Sequence, residues 1–178
     1  PQAEQRSLKL TGGSIIVSNS IFRNNRYNGG LEVSGSQATV NNSWFDGNAA
    51  PMYFNSNSGA GDQLRGGSAI LVRDATPLTL SYDKFTNNVA DNINSRFSGG
   101  GAVYALNGVV TIDQCAFEGN SAKITSYFPG GETTDYIGNP ELSPSPRYSG
   151  GGAVYSGGAT TIRDSYFTNN SVVSYVDL

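Results

Sequence analysis

The sequence predicts an all-β fold, a right-handed parallel β-helix (solenoid) of about five coils with loop insertions at one corner. Three observations predict it: a Phe-x-x-Asn motif that occurs five times, a period-two apolar pattern before each motif, and 23 glycines in 178 residues. No stretch shows the i, i+3, i+4, i+7 apolar spacing of an amphipathic helix. We therefore expect short strands separated by tight turns.

The Phe-x-x-Asn motif closes five similar segments, IIVSNSIF, ATVNNSWF, LTLSYDKF, VTIDQCAF and TTIRDSYF, each of which ends in the phenylalanine. Its members are Phe22/Asn25, Phe45/Asn48, Phe85/Asn88, Phe117/Asn120 and Phe167/Asn170. Coils stacked at about 4.8 Å would place equal positions above one another. The motif therefore predicts an internal phenylalanine stack and an asparagine ladder at a corner. Asparagine suits such a corner because it tolerates left-handed backbone and can bond the backbone or its counterpart in the next coil.

The residues before each phenylalanine alternate with period two, as expected for strands with one face inward. The residues five before it should point inward: Val17, Val40, Leu80, Ile112 and Ile162. The residues six before it should face solvent: Ile16, Thr39, Thr79, Thr111 and Thr161. The residues immediately before it share no chemistry and should also face solvent: Ile21, Trp44, Lys84, Ala116 and Tyr166.

A Gly-Gly element precedes most of these segments and indicates where the chain varies in length. The phenylalanine follows the second glycine after 15 residues from Gly30, 18 from Gly67, 16 from Gly101 and 15 from Gly152. The distance from a phenylalanine to the next such glycine varies from 8 to 35 residues. All length variation is thus expected at one corner of a single domain, 1–178. The predicted insertion loops are 49–65, 89–98 and 121–149.

Together these motifs resemble a known repeat class. GGAVY at 100–104 and 151–155, GGSAI at 66–70 and the Phe-x-x-Asn motifs are similar to the paired repeats of chlamydial polymorphic membrane proteins. Related repeats occur in other bacterial surface proteins and in archaeal and algal extracellular proteins. In the chlamydial family the repeats form the surface-exposed passenger of an autotransporter with a C-terminal outer-membrane barrel and a role in adhesion. The resemblance implies an exported chain that is extracellular or at the cell surface, and at the bacterial outer membrane if it is an autotransporter.

The leading functional hypothesis is a structural and adhesive passenger that displays its loops to a host-cell protein or a glycan. The longest loop carries Tyr127, Phe128, Tyr136 and Tyr148 among glycines and prolines, a composition typical of binding surfaces. For this loop alone, a tolerated insertion whose aromatic residues only cover the side of the solenoid is the preferred interpretation.

The second hypothesis is a polysaccharide-active enzyme of the lyase or epimerase type, which would use carboxylates and basic residues on an outer face. Asp113 and Arg163 occupy equivalent outward positions, with Asp164 adjacent, and a surface ion pair is the preferred explanation for them. Asp83 aligns with serines and with Cys115 at an inward position. We expect its carboxylate to be hydrogen-bonded at a bend, with a buried catalytic acid as the alternative.

Other sites are not predicted. The chain has no histidine, and Cys115 is its one cysteine, expected as a packed thiol, so no catalytic, cofactor or metal site is assigned. Ice binding is disfavoured because the threonine file has no second uncharged file beside it. A formal net charge of −3 gives no case for nucleic acid, and apolar runs of a few residues give none for membrane insertion by this segment.

Neither end of the sequence shows an evident cap over the exposed strand edges. We therefore expect the chain to be cut from, or assembled onto, a longer solenoid, with further coils or another protomer end to end. An extracellular matrix or filament component is the functional alternative that this expectation suggests.

Overall fold

The computed structural model describes residues 7–26, 29–53, 64–93, 97–105, 107–127 and 148–177. These residues form 22 strands and no helix. Coil 1 contains β1 (Leu8–Thr11), β2 (Ser14–Ser18) and β3 (Ile21–Arg23). Coil 2 contains β4 (Leu31–Ser34), β5 (Gln37–Asn41), β6 (Trp44–Asp46) and β7 (Ala49–Tyr53). Coil 3 contains β8 (Leu64–Gly66), β9 (Ile70–Val72), β10 (Leu78–Ser81), β11 (Lys84–Thr86) and β12 (Val89–Ile93).

The last two coils repeat the five-strand pattern of coil 3. Coil 4 contains β13 (Phe97–Gly99), β14 (Val103–Ala105), β15 (Val110–Asp113), β16 (Ala116–Glu118) and β17 (Ser121–Tyr127). Coil 5 contains β18 (Tyr148–Gly150), β19 (Val154–Ser156), β20 (Thr160–Arg163), β21 (Tyr166–Thr168) and β22 (Ser171–Asp177).

Every strand pairs in parallel with its equivalent in the neighbouring coil, which confirms the parallel β-helix. Sheet A runs β1-β4-β9-β14-β19, sheet B runs β2-β5-β10-β15-β20, and sheet C runs β3-β6-β11-β16-β21. Sheet D runs β7-β12-β17-β22 and sheet E runs β8-β13-β18. Parallel crossovers of this kind are right-handed in nearly all proteins.

The core lies inside sheets A, B and C. Val40, Leu80 and Ile112 are register partners and are buried, as the period-two pattern predicts. The intervening Thr79 is exposed on the outer face. Because each coil buries its apolar side chains against those above and below, no coil could be stable alone.

The five motif phenylalanines form one continuous stack. Successive ring centroids lie 4.7, 5.0, 4.5 and 4.7 Å apart, with interplanar angles of 7° or less. Phe45, Phe85 and Phe117 in the middle coils are completely buried. Each such ring contributes roughly 1.5–3 kcal/mol by removal of apolar surface from water.

The motif asparagines form a buried ladder beside this stack. The Nδ2 of each donates to the Oδ1 of the next, at 2.7 Å for Asn25 to Asn48 and 2.9 Å for Asn48 to Asn88, Asn88 to Asn120 and Asn120 to Asn170. Each Nδ2 beyond Asn25 also donates to a phenylalanine carbonyl of the preceding coil, for example Asn88 to Phe45 at 2.9 Å. The ladder thus pairs backbone groups that the corner would otherwise leave buried without partners.

Left-handed backbone falls one residue before the ladder asparagine rather than at the asparagine itself. The residues with positive φ at this corner are Asn24, Gly47, Asn87, Gly119 and Asn169. A second left-handed corner precedes each phenylalanine by three residues: Asn19, Asn42, Tyr82, Gln114 and Asp164. Two bends therefore enclose the three-residue strand that carries the phenylalanine, and the ladder side chain is left free to point inward.

The sheet register also corrects the alignment of the Gly-Gly elements. Ile70 pairs with Val103, which places Ser68 rather than Gly67 opposite Gly101. Gly67 instead matches Gly100 and Gly151, and all three have positive φ. The alignment failed because the turn between sheets A and B also varies, from two residues in coil 2 to five in coil 3, so length variation is not confined to one corner.

The ranges 49–65, 89–98 and 121–149, predicted as insertion loops, begin and end in strands. Their first residues form β7, β12 and β17 of sheet D, and their last residues form β8, β13 and β18 of sheet E. Segments such as AAPMY and VADNI lack a period-two pattern, and their pairing with the neighbouring coil makes them strands.

The outer face of sheet A is buried in coils 2 to 4, although its side chains point away from the core. Glu32, Leu71 and Tyr104 are register equivalents there, and all three are buried. Glu32 is paired with Lys9 at 2.8 Å, and the ring of Tyr104 stacks on that of Tyr155 at 5.0 Å. Burial raises the pKa of Tyr104 to about 12. In these three coils sheet A is thus covered on both sides.

Candidate functional site

Three connections leave the solenoid at one edge. Tyr53, Ile93 and Thr125 are equivalent in sheet D, and the chain returns at Leu64, Phe97 and Tyr148, which are equivalent in sheet E. We call these six positions the loop-bearing edge. Neighbouring strands in a sheet lie about 4.8 Å apart, so the stems of the connections are stacked one above another. The intervening residues are 54–63, 94–96 and 126–147.

The predicted binding residues belong to the third connection. Tyr127 is the last residue of β17, and Tyr148 is the first residue of β18. Phe128 and Tyr136 lie outside the described residues. The backbone of the two described tyrosines therefore lies at opposite stems of the same connection.

A second group of interacting side chains lies on the outer face of sheet C, at and around the positions that precede each phenylalanine and share no chemistry. The Arg23 guanidinium lies 4.2 Å from the centroid of the Trp44 ring, and its Nε is 3.0 Å from Asp46 Oδ2. Trp44 Nε1 donates to Thr86 Oγ1 at 2.9 Å, and this hydroxyl donates to Asp46 Oδ1 at 2.6 Å. The cluster spans three coils and leaves both oxygens of Asp46 paired.

The same face continues through coils 3 to 5. Lys84 Nζ lies 3.6 Å from Glu118 Oε2, and the Tyr166 hydroxyl donates to Glu118 Oε1. This hydrogen bond and the nearby Lys84 lower the pKa of Glu118. A general acid for glycosidic cleavage needs the opposite shift, a raised pKa. The lowered pKa does not favour Glu118 as such a general acid.

The carboxylates singled out as enzyme candidates do not assemble into a site. Asp113 and Arg163 are register partners in sheet B, but among the described residues no ion pair joins them. Asp164 lies at a left-handed corner with a φ of 46°. Nor does any group of three or more Cys, Asp or Glu side chains converge on a metal position in the described ranges.

Asp83 is hydrogen-bonded at a bend, as expected. Its side chain is 2% exposed, Oδ1 accepts the Ser43 N–H at 2.8 Å, and Oδ2 accepts the Ser81 N–H at 3.1 Å. Burial raises the pKa of this carboxyl to about 7, against the lowering effect of the two N–H donors. The next residue in the same file is Cys115, whose thiol donates to the Asp113 carbonyl at 3.2 Å and whose pKa burial raises to about 11.

At equivalent positions in other coils, serine hydroxyls accept the same kind of backbone N–H hydrogen bond from the preceding coil that Asp83 accepts. Ser43 Oγ accepts the Ser20 N–H at 3.2 Å, and Ser165 Oγ accepts the Cys115 N–H at 2.9 Å. The equivalent residues Ser20, Ser43, Asp83, Cys115 and Ser165 therefore form a second hydrogen-bonded ladder, in which Asp83 takes the place of a serine.

Replacing Asp83 by serine is expected to stabilise the protein at neutral and alkaline pH. The folded-state pKa of about 7 lies above the ordinary 3.8, so ionisation of Asp83 opposes folding. This penalty is absent below about pH 4 and reaches at most ~4 kcal/mol above pH 7. Asp83→Ser should therefore raise the free energy of unfolding at pH 8 and change it little at pH 4, measured by urea denaturation at both values. Asp113→Ser, at an outward position, is the control. If the stability of Asp83→Ser depended on pH as the wild type does, ionisation of Asp83 would not be the source of the penalty.

Compared with known proteins, the chain matches no family model, no curated protein and no solved structure. Among the described residues, no helix has the length and apolar character needed to cross a membrane. The candidate site therefore rests on the geometry of the loop-bearing edge and of sheet C.

Proposed function

We propose that the chain is an adhesive scaffold, exported and exposed at a cell surface, whose coil stack holds binding loops at the loop-bearing edge. The observation that carries this proposal is the stacking of three connection stems at equivalent positions of sheets D and E. Anchoring each loop on two paired strands limits the entropy lost when the loop binds a partner. Binding residues on loops held by a rigid scaffold are common among recognition proteins.

The proposed partner is a host-cell protein or a glycan. Residues 126–147 carry Tyr127, Phe128 and Tyr136 together with glycines and prolines, and Tyr148 follows at the stem. Tyrosines provide large contact area with a hydrogen-bonding hydroxyl and little conformational entropy to lose. The GGAVY and Phe-x-x-Asn motifs support a passenger of the polymorphic membrane protein type, or a related extracellular repeat protein.

The chain itself offers a shortened loop for testing this proposal. Three residues, Asn94-Ser95-Arg96, join Ile93 to Phe97 in one coil, whereas residues 126–147 join the equivalent Thr125 to Tyr148 in the next. Replacing 126–147 by Asn-Ser-Arg removes the last two pairs between β17 and β22. It should preserve the register up to the Thr125–Tyr175 pair and abolish binding to host-cell surfaces or glycan arrays. Binding would be measured by surface plasmon resonance and flow cytometry against the wild-type chain.

The matched control replaces 54–63 by the same tripeptide, since Tyr53 and Leu64 are equivalent to Ile93 and Phe97. The control should retain binding if residues 126–147 carry the specificity. Unaltered circular dichroism and melting temperature would show that both variants fold. Full binding by the 126–147 replacement would refute the role assigned to this loop.

A polysaccharide-active enzyme is the second candidate, and the outer face of sheet C is the observation that favours it. Asp46, Lys84 and Glu118 lie there on three successive coils, flanked by Trp44 and Tyr166. Both carboxylates are engaged by neighbouring side chains, which supports binding better than catalysis. Release of reducing ends from acidic polysaccharides, lost in Glu118→Gln, would favour the enzyme instead.

A further inference from the structure

Tyr82 is an exposed aromatic residue that the fold does not require. Its side chain is 60% exposed, and its backbone is left-handed with a φ of 57°. The equivalent residues at this corner are polar, and none of them is aromatic: Asn19, Asn42, Gln114 and Asp164. Left-handed backbone is unfavourable for a bulky side chain, whereas asparagine and aspartate tolerate it. Because backbone strain of this kind clusters at functional sites, Tyr82 marks the surface beside it as a candidate site.

Gln114 holds the Tyr82 side chain from the next coil. Its Nε2 donates to the Tyr82 hydroxyl at 3.0 Å. Both side chains are thereby fixed at the corner between sheets B and C, next to the outer face of sheet C.

Ala116 carries the shortest side chain on this outer face. Its register partners in the neighbouring coils are Lys84 and Tyr166, and Glu118 is the next outward residue of its own strand. Lys84 Nζ lies 3.6 Å from Glu118 Oε2, and the Tyr166 hydroxyl donates to Glu118 Oε1. Both of these side chains therefore lean toward Glu118, and Ala116 stays partly exposed between them.

The longer side chains around Ala116 enclose a shallow recess, which we call the Ala116 recess. The residues around it are Tyr82, Lys84, Gln114, Glu118 and Tyr166. Neighbouring strands lie about 4.8 Å apart, so the backbones of Lys84 and Tyr166 are two strands, or roughly 10 Å, apart. An opening of this width admits a single sugar ring.

The groups around the recess suit a ligand with apolar C–H surface and several hydroxyls. The face of a tyrosine ring can pack against the C–H groups of a sugar while its hydroxyl keeps a hydrogen bond. A lysine donates hydrogen bonds, an ionised carboxylate accepts them and an amide does both, so sugar hydroxyls can be bound in either sense. Lys84 is paired with Glu118, and Asp164 takes the place of Gln114 in coil 5. The recess therefore has no excess positive charge for an anionic ligand.

We propose that the Ala116 recess binds one neutral sugar unit of a glycan. Ala116 forms the floor, the Tyr82 ring packs on the C–H face of the sugar, and Gln114, Lys84 and Glu118 bind its hydroxyls. The recess lies on sheet C and not at the loop-bearing edge, so it goes beyond the proposed function and does not depend on what the loops bind. If both sites engage one cell surface, their combined avidity exceeds the affinity of either.

Saturation-transfer difference NMR tests the recess with the methyl glycosides of galactose, glucose, mannose and N-acetylglucosamine. The wild-type chain should transfer saturation to the ring C–H protons of at least one of them, in preference to glucuronate. Ala116→Phe fills the recess and should lower the apparent affinity at least tenfold. An aromatic side chain is compatible with this position, since its equivalents are Trp44 and Tyr166. Thr111→Phe, at an outward position of sheet B in the same coil, is the matched control and should bind like the wild type.

Tyr82→Asn separates recognition from stability. Asn19 and Asn42 adopt the same left-handed backbone, and Asn42 Nδ2 donates to Asn19 Oδ1 at 2.6 Å. Tyr82→Asn should therefore keep or raise the melting temperature while its apparent affinity for the glycoside falls at least tenfold. A lower melting temperature with undiminished binding would show that Tyr82 is structural and would overturn its assigned role.

The replacement of 126–147 distinguishes the recess from the loops. This variant leaves the residues of the recess in place, so it should keep the glycoside signal even where it loses binding to host-cell surfaces. No saturation transfer to any of the four glycosides, binding of glucuronate alone, or undiminished binding by Ala116→Phe would each overturn the proposal. None of these three results would bear on binding by the loops.

Discussion

Phe117→Ala should lower the free energy of unfolding by ~3–5 kcal/mol. Phe117 is completely buried, and its ring lies between Phe85 at 4.5 Å and Phe167 at 4.7 Å. Truncation removes the transfer energy of the ring and leaves a cavity that the rings above and below cannot fill, since strand pairing fixes their spacing. Urea denaturation monitored by circular dichroism measures the loss.

Phe167→Ala is the matched control for this substitution. It removes the same side chain from coil 5, where the ring is 42% exposed, so the loss should be clearly smaller. Equal losses for the two variants, or an unchanged midpoint for Phe117→Ala, would show that the stack does not carry the stability assigned to it.

Asn88→Leu should destabilise the protein by ~3–6 kcal/mol, because leucine has a similar size and none of the hydrogen bonds. The substitution removes the acceptor of the Asn48 N–H and Nδ2, at 3.1 and 2.9 Å. It also removes the donor to the Phe45 carbonyl at 2.9 Å. Each buried group left without a partner costs about 1–3 kcal/mol. Thermal and urea denaturation would both report the change.

Asn25→Leu is the control, since Asn25 begins the ladder and its amide makes fewer bonds. Its cost should be less than half that of Asn88→Leu. Asn88→Asp keeps the acceptor oxygens but loses both donors, so it should also be strongly destabilising at neutral pH. Tolerance of leucine at position 88 would mean that the ladder is incidental to folding.

The phenylalanine and asparagine files could be predicted because they repeat at fixed distances within one coil. When coils stack, residues at equal positions of neighbouring coils come into contact, so the repeat alone predicts which side chains touch. The position of Asp83 in an inward serine file followed in the same way. The raised pKa of Asp83 could not be predicted, because the burial of its carboxyl depends on the side chains of the coils above and below it.

Features set by contacts between coils were harder to predict. β7 and β12 carry no apolar alternation, so only their pairing partners make them strands. Gly67 could not be matched to Gly100 from the sequence, because the turn between sheets A and B changes length from coil to coil. The cluster of Arg23, Trp44, Asp46 and Thr86 joins residues up to 63 positions apart. The period-two pattern could have indicated this cluster, because the residues before and after each inward phenylalanine must both lie on the outer face of sheet C.

Disulfide trapping across one register pair is the most direct test of the stacked-coil architecture. Thr79 and Thr111 are partners in adjacent coils, whereas Thr79 and Thr161 are two coils apart. In a Cys115→Ser background, Thr79→Cys with Thr111→Cys should form an intramolecular disulfide on mild oxidation, because parallel neighbours lie within bonding range. Thr79→Cys with Thr161→Cys should stay reduced. Failure of the first pair, or equal oxidation of both, would contradict the parallel β-helix and the register on which every proposal above depends.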